Sequence, residues 1–110
     1  MLALAAALWA CASPVQPPPG ASGSEIYALQ LCANCHGDDG GGKSLGPPLR
    51  DLASHWDEST LADFLGDPRG WEERDARLRR LADDHSGTMD PYDNLSVDER
   101  RRLARFLLQL

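Results

Sequence analysis

The sequence predicts an all-α domain, on three observations. No stretch alternates apolar and polar residues as a half-buried strand does. Four stretches instead repeat apolar residues at helical spacing behind residues that cap helices well. The 110-residue chain is 42% hydrophobic but only 6% aromatic. That is material for one small domain with a thin core, so something besides side chains is needed to fill it.

The elements follow in chain order. Residues 1–10 belong to the apolar run MLALAAALWAC, which is too short to span a bilayer stably. It fits the hydrophobic region of a secretory signal peptide, with no basic residue ahead of it. Leu8-Trp9-Ala10-Cys11 resembles the lipobox of bacterial lipoproteins, in which cleavage falls before a cysteine that is then acylated; Trp9 is unusual there. The expected location is therefore the bacterial cell envelope, periplasmic or at the outer face of the membrane, with a lipid anchor on Cys11; the alternatives are a plain signal peptide with an incidental cysteine, or a short uncleaved membrane anchor. Residues 11–23 are rich in Pro, Gly and Ser and carry no charge, so they read as a linker. About a dozen such residues at about 3.1 Å each reach roughly 35 Å.

The folded domain is expected over residues 24–110. Ser24 is a candidate cap for a first helix through SEIYALQLCANCH, with Ile26, Leu29 and Ala33 near one face and the thiols at its end. In DESTLADFLGDP, Asp57 or Ser59 caps, Leu61, Phe64 and Leu65 form the apolar face, and Gly66 with Pro68 stops the helix. GWEERDARLRRLADD predicts a third helix with Trp71, Leu78 and Leu81 on one stripe. Ser96 to Glu99 is a capping box, and Leu103, Phe106, Leu107 and Leu110 follow at helical spacing.

Chemistry is concentrated in CANCH, residues 32–36. C-x-x-C-H is the attachment signature of c-type haem: two thiols meet the two vinyl groups, and the adjacent imidazole reaches the iron. A structural zinc site would need four ligands, and no second cysteine pair completes one. A thioredoxin-like dithiol would need a βαβ context that this helical pattern lacks. Iron held by His36 has a sixth position to fill. Met89 is the leading ligand: it is the only methionine besides Met1 and lies in the turn-rich SGTMDPYDNLS, with His85 and His55 as competitors.

From about Gly23 to Leu110 the chain resembles a class I cytochrome c, one of the small helical electron carriers with one covalent haem and His/Met iron. The resemblance rests on CANCHG, on GPPL at 46–49, and on Thr88-Met89 followed by LSVDERRRLARFLLQL. It implies that the Pro47 carbonyl accepts from His36 Nδ1, fixing the imidazole that faces iron. It also implies that Leu49 is an apolar wall of the haem pocket, that Gly41, Gly42 and Gly46 let backbone approach the porphyrin, and that Phe106 packs the last helix over the first. Tyr27 stands five residues before Cys32, where the family usually has an aromatic four before.

The expected function follows from coordination. Two strong axial ligands leave no site for a small substrate, and a neutral sulfur donor favours ferrous iron, so the protein is expected to move single electrons rather than act as an enzyme. Alternatives are a haem-containing subunit or domain of a larger redox complex, or a haem sensor with displaceable Met89. A net charge of -6 and a pI near 4.8 argue against nucleic acid and favour transient docking to redox proteins. Arg100, Arg101, Arg102 and Arg105 crowd the last helix, so a charge dipole is expected to guide that docking.

Overall fold

The computed structural model describes residues 15–110. Among them are six α-helices and no strand: α1 (Gly23–Leu29), α2 (Ala33–His36), α3 (Glu58–Gly66), α4 (Pro68–Arg74), α5 (Ala76–Asp84) and α6 (Val97–Leu107), with a 3₁₀ turn at Leu52–Ser54. The expected signal peptide and Cys11 lie outside the described residues.

The first helix departs from expectation at both ends. Ser22, not Ser24, is its cap: the hydroxyl accepts from Glu25 N–H while the Glu25 carboxylate accepts from Ser22 N–H, a capping box worth about 1 kcal/mol. The helix then stops at Leu29, and Leu31 takes a left-handed conformation, φ 59°. This break turns the chain so that the thiols sit on the separate short helix α2 rather than at the end of α1.

The 70–84 stretch is likewise two helices, because Asp75 is extended (φ -129°, ψ 111°) and its carboxylate accepts from Arg77 N–H at 2.9 Å. A residue good at capping has begun a new helix inside a segment that otherwise reads as continuous. Asp57 caps α3 as expected, with Thr60 as its partner, and Asp67 caps α4 ahead of Pro68 in the first turn. The Ser96–Glu99 box opens α6.

The core sits where α6 meets α1 and α3. Ile26 and Leu103 are fully buried, flanked by Leu61, Leu65, Ala104 and Leu107. Gly23 makes the α1–α6 approach possible: a Cβ there would lie 2.6 Å from Phe106 Cβ and closer still to the Arg102 carbonyl oxygen. One turn on, the rings of Tyr27 and Phe106 pack with centroids 5.5 Å apart and planes tilted by 59°. Phe106 thus joins the last helix to the first, and Tyr27 supplies the contact from its position five residues before Cys32.

Two of the four α6 arginines, Arg100 and Arg102, are partly buried and committed to backbone carbonyls, while the exposed Arg101 and Arg105 face Glu58. Arg100 donates to the carbonyls of Tyr92 and Leu95, Arg102 donates to that of Ala21, and Arg105 makes a bidentate pair with Glu58 at 3.0 and 3.1 Å. Arg101 lies 3.8 Å from the same carboxylate. The basic helix is therefore largely a clamp holding α3, the segment before α1 and the 90–95 loop.

Candidate functional site

The geometry around His36 starts with α2, a single turn that brings Cys32, at its N-cap, together with Cys35 and His36. Tyr27 O–H donates to the Gly37 carbonyl at 2.7 Å in a buried bond, which fixes the residue after His36 against α1. Gly37 has φ 89°, and Gly42 has φ 90° with Pro48 so close that a Cβ would lie 2.7 Å from its nitrogen. These two glycines turn the chain back on itself. The return brings the Pro47 carbonyl 2.7 Å from His36 Nδ1. That bond orients the ring and leaves Nε2 with the lone pair.

A cavity of about 600 Å³ opens beside this turn, within the usual size of a cofactor site. Cys32, Cys35, His36, Gly46, Pro47, Leu49, His85 and Met89 all line it. The motif residues, the proline, the apolar wall and the methionine thus converge on one space. His55 is exposed and is not part of the wall. Gly41 does not share the left-handed conformation of its neighbours Gly40 and Gly42, so the close turns fall on those two and on Gly46, where a Cβ would lie 3.0 Å from the Cys35 carbonyl oxygen.

Met89 is half-buried in a loop without helical structure. Tyr92 N–H donates to the Leu65 carbonyl at 2.9 Å, Gly87 N–H to that of Leu45 at 3.0 Å, and Arg100 holds the Tyr92 carbonyl, so the loop is fixed on both sides of Met89. His85 closes α5 with Nδ1 2.7 Å from the Leu81 carbonyl.

The rest of the wall was not marked by any motif. Trp56, Leu61, Phe64, Leu65, Leu78, Leu81 and Tyr92 line the cavity from α3, α5 and the loops. Trp56 lies at the centre of an aromatic group, 5.1 Å from the Phe64 ring and 5.2 Å from that of Trp71. Arg77 also lines the cavity, its guanidinium 5.9 Å from the Trp56 ring centre. The apolar spacing of α3 and α5 hinted at Leu61, Phe64, Leu65, Leu78 and Leu81, and nothing in the sequence hinted at Trp56, Tyr92 or Arg77.

Electrostatics suit neutral donors. Burial lowers the His36 pKa, against the opposing pull of the Pro47 carbonyl, so the imidazole is neutral, the form that binds metal. Burial pushes the Cys32 thiol up to about 11 and also raises the Tyr92 phenol, whose oxygen is 4.0 Å from Cys32 Sγ. Cys32 and Cys35 are not bonded to each other. Among the described residues no three His, Cys, Asp or Glu side chains converge to hold a metal ion by themselves. An apolar slot with two thiols and one neutral imidazole at its edge suits a flat, largely apolar cofactor that brings its own metal.

No curated protein and no solved structure matches the chain significantly. A family model for cytochrome c matches residues 20–110, which takes in α1 to α6 and all of the cavity wall except Val15. On that match and on this helical fold, the chain belongs to the cytochrome c family: haem-binding electron carriers that work with redox proteins, their iron held in covalent haem c.

Proposed function

We propose that this protein is a single-electron carrier of the bacterial cell envelope, with haem joined to Cys32 and Cys35 and its iron ligated by His36 and Met89. The observation that carries the reading is the convergence of both thiols, the Pro47-oriented imidazole and the only described methionine on one apolar cavity. Haem supplies an iron that cycles between ferrous and ferric states.

The chain supplies the rest. Pro47 holds the His36 ring and makes it a better donor. Leu49, Leu78 and the Trp56 group keep water away, which favours the less charged ferrous site. Arg77 has no carboxylate partner among the described residues and is the natural counter-charge for the haem carboxylates. With His36 and Met89 both engaged, no position is left for a small substrate, and the protein exchanges electrons without turning over a substrate. Exposed Leu31 and Leu45, at 61% and 43%, rim the cavity and suit brief contact with a redox protein.

The envelope assignment rests on residues 1–11 of the sequence, and a lipid anchor on Cys11 is part of the proposal. A single acyl chain holds only marginally, whereas the several chains of a bacterial lipoprotein anchor stably. Among the described residues no helix is long and apolar enough to cross a membrane.

Ligation is tested with the Met89→Ala holoprotein. It should retain haem, lose the weak sulfur-to-iron absorption of the ferric state, bind added ligands readily and show a lower potential. One observation favours a second reading for the sixth ligand: His85 lines the cavity with Nδ1 held by the Leu81 carbonyl, as His36 is by Pro47. An unchanged ferric spectrum in Met89→Ala, altered in His85→Ala, would assign the ligand to His85.

A further inference from the structure

The segment ahead of α1 does not lead straight away from the domain as a spacer would. Gly20 (φ 78°) and a bond from Ala21 N–H to the Pro18 carbonyl at 3.1 Å turn it back, and Pro17 and Ala21 are buried. One end is held by Arg102, which donates to the Ala21 carbonyl. The other is held by Gln30, whose side-chain N–H donates to the Val15 carbonyl. Val15 itself lines the cavity, with its side chain about half exposed at 49%.

Gln30 is only 8% exposed, and both ends of its amide are engaged, since Asn94 Nδ2–H donates to its Oε1 at 3.1 Å. Burying such an amide is costly unless it is fully bonded, so its place reflects the joint it makes. That joint links three pieces of chain: the segment before α1, the turn two residues ahead of Cys32, and the loop that carries Met89. Residues 15–19 also lie outside the stretch matched to the family.

We propose that Val15–Ala21 is a strap across one edge of the haem cavity, and that Gln30 is a positioning residue that ties this strap to the Met89 loop and so sets how readily an outside ligand reaches the iron. The inference rests on the haem reading above. It makes the cavity responsive to the segment that precedes it: a pull on, or loss of, residues before Ala21 loosens the loop through Gln30 and Asn94.

Imidazole binding to the ferric holoprotein tests this, followed by stopped-flow absorption in the full chain, in Gln30→Met, in a form lacking the residues before Ala21, and in the two changes combined. Each single change should speed binding by about tenfold, the worth of one buried hydrogen-bonded amide. The combination should add little, because both act through one contact. Ser96→Ala, which weakens the cap of α6, should lower stability and leave the rate as in the full chain. An unchanged rate in the shortened form overturns the strap, as does an equal increase in Ser96→Ala. If Gln30→Met fails to fold, the shortened form alone decides. A chain that takes up no haem overturns the haem reading, whereas a haem protein with equal rates throughout overturns only the strap.

Discussion

At the scale of single residues, the site depends on a few hydrogen bonds that prepare groups without touching the chemistry. The His36 ring would be poorly oriented without the Pro47 carbonyl at 2.7 Å, and the turn that delivers that carbonyl depends on Gly37 being held in place. Tyr27 does that holding, through its buried hydroxyl on the Gly37 carbonyl. Tyr27→Phe keeps the ring contact with Phe106 and deletes this bond, leaving a buried carbonyl without its donor. The holoprotein should lose about 1–3 kcal/mol of stability, read from the shift of its denaturant midpoint at constant slope, and an unshifted midpoint would show that Gly37 is held some other way. Much of the site was legible at this scale. Cys32, Cys35 and His36 announce themselves by spacing, and Met89 by its isolation in a polar loop. Trp56, Arg77, Tyr92 and Gln30 were not legible, since each comes to the cavity edge through packing between helices distant in sequence.

At the scale of elements, capping chemistry was read well where a box stands directly before an apolar run. The Ser96–Glu99 box fixes the start of α6, and Asp57 that of α3. Ser22 and Glu25 form the same kind of box ahead of α1, and the Ser-x-x-Glu spacing favours Ser22 over Ser24, which has Tyr27 three residues on. The breaks at Leu31 and Asp75 differ in cause: Asp75 is a local side-chain cap, whereas Leu31 is left-handed. A left-handed leucine has an intrinsic cost that tertiary contacts must offset, so local propensity could not foresee it. Gly23 carries the sharpest consequence. In Gly23→Ala the new methyl meets the Arg102 carbonyl and Phe106 Cβ, and neither is the free end of a flexible chain. The α1–α6 contact should open, at a cost of about 1–3 kcal/mol or more, seen as a lower thermal midpoint of the holoprotein. A midpoint equal to that of the unchanged protein would mean that the two helices do not cross at this residue.

At the scale of the whole molecule, the cofactor would belong to the core. The fully buried Ile26 and Leu103 sit at the α1–α6–α3 junction, and Trp56, Leu78, Tyr92 and Met89 line a cavity of about 600 Å³ beside it. Filling that space removes apolar wall from water and gives α5 and the Met89 loop something to pack against, so cofactor binding becomes folding free energy. A Cys32→Ser, Cys35→Ser chain produced without haem should show weak helical circular dichroism and no cooperative thermal transition, and a sharp transition in that haem-free chain would remove haem from its role as core. The thin aromatic content hinted at this in outline, because 6% aromatic residues in 110 leave few large side chains for a core. Which residues would face the cofactor was not legible, because the wall is assembled from α3, α5 and two loops at once. The central claim is that Cys32 and Cys35 hold haem covalently in the working protein. Intact mass of the exported protein under denaturing conditions tests it most directly: the account predicts a mass one haem above that of the processed, acylated polypeptide, with the chromophore retained after acid–acetone extraction, and a mass without that haem increment and the colour in the acetone would contradict it.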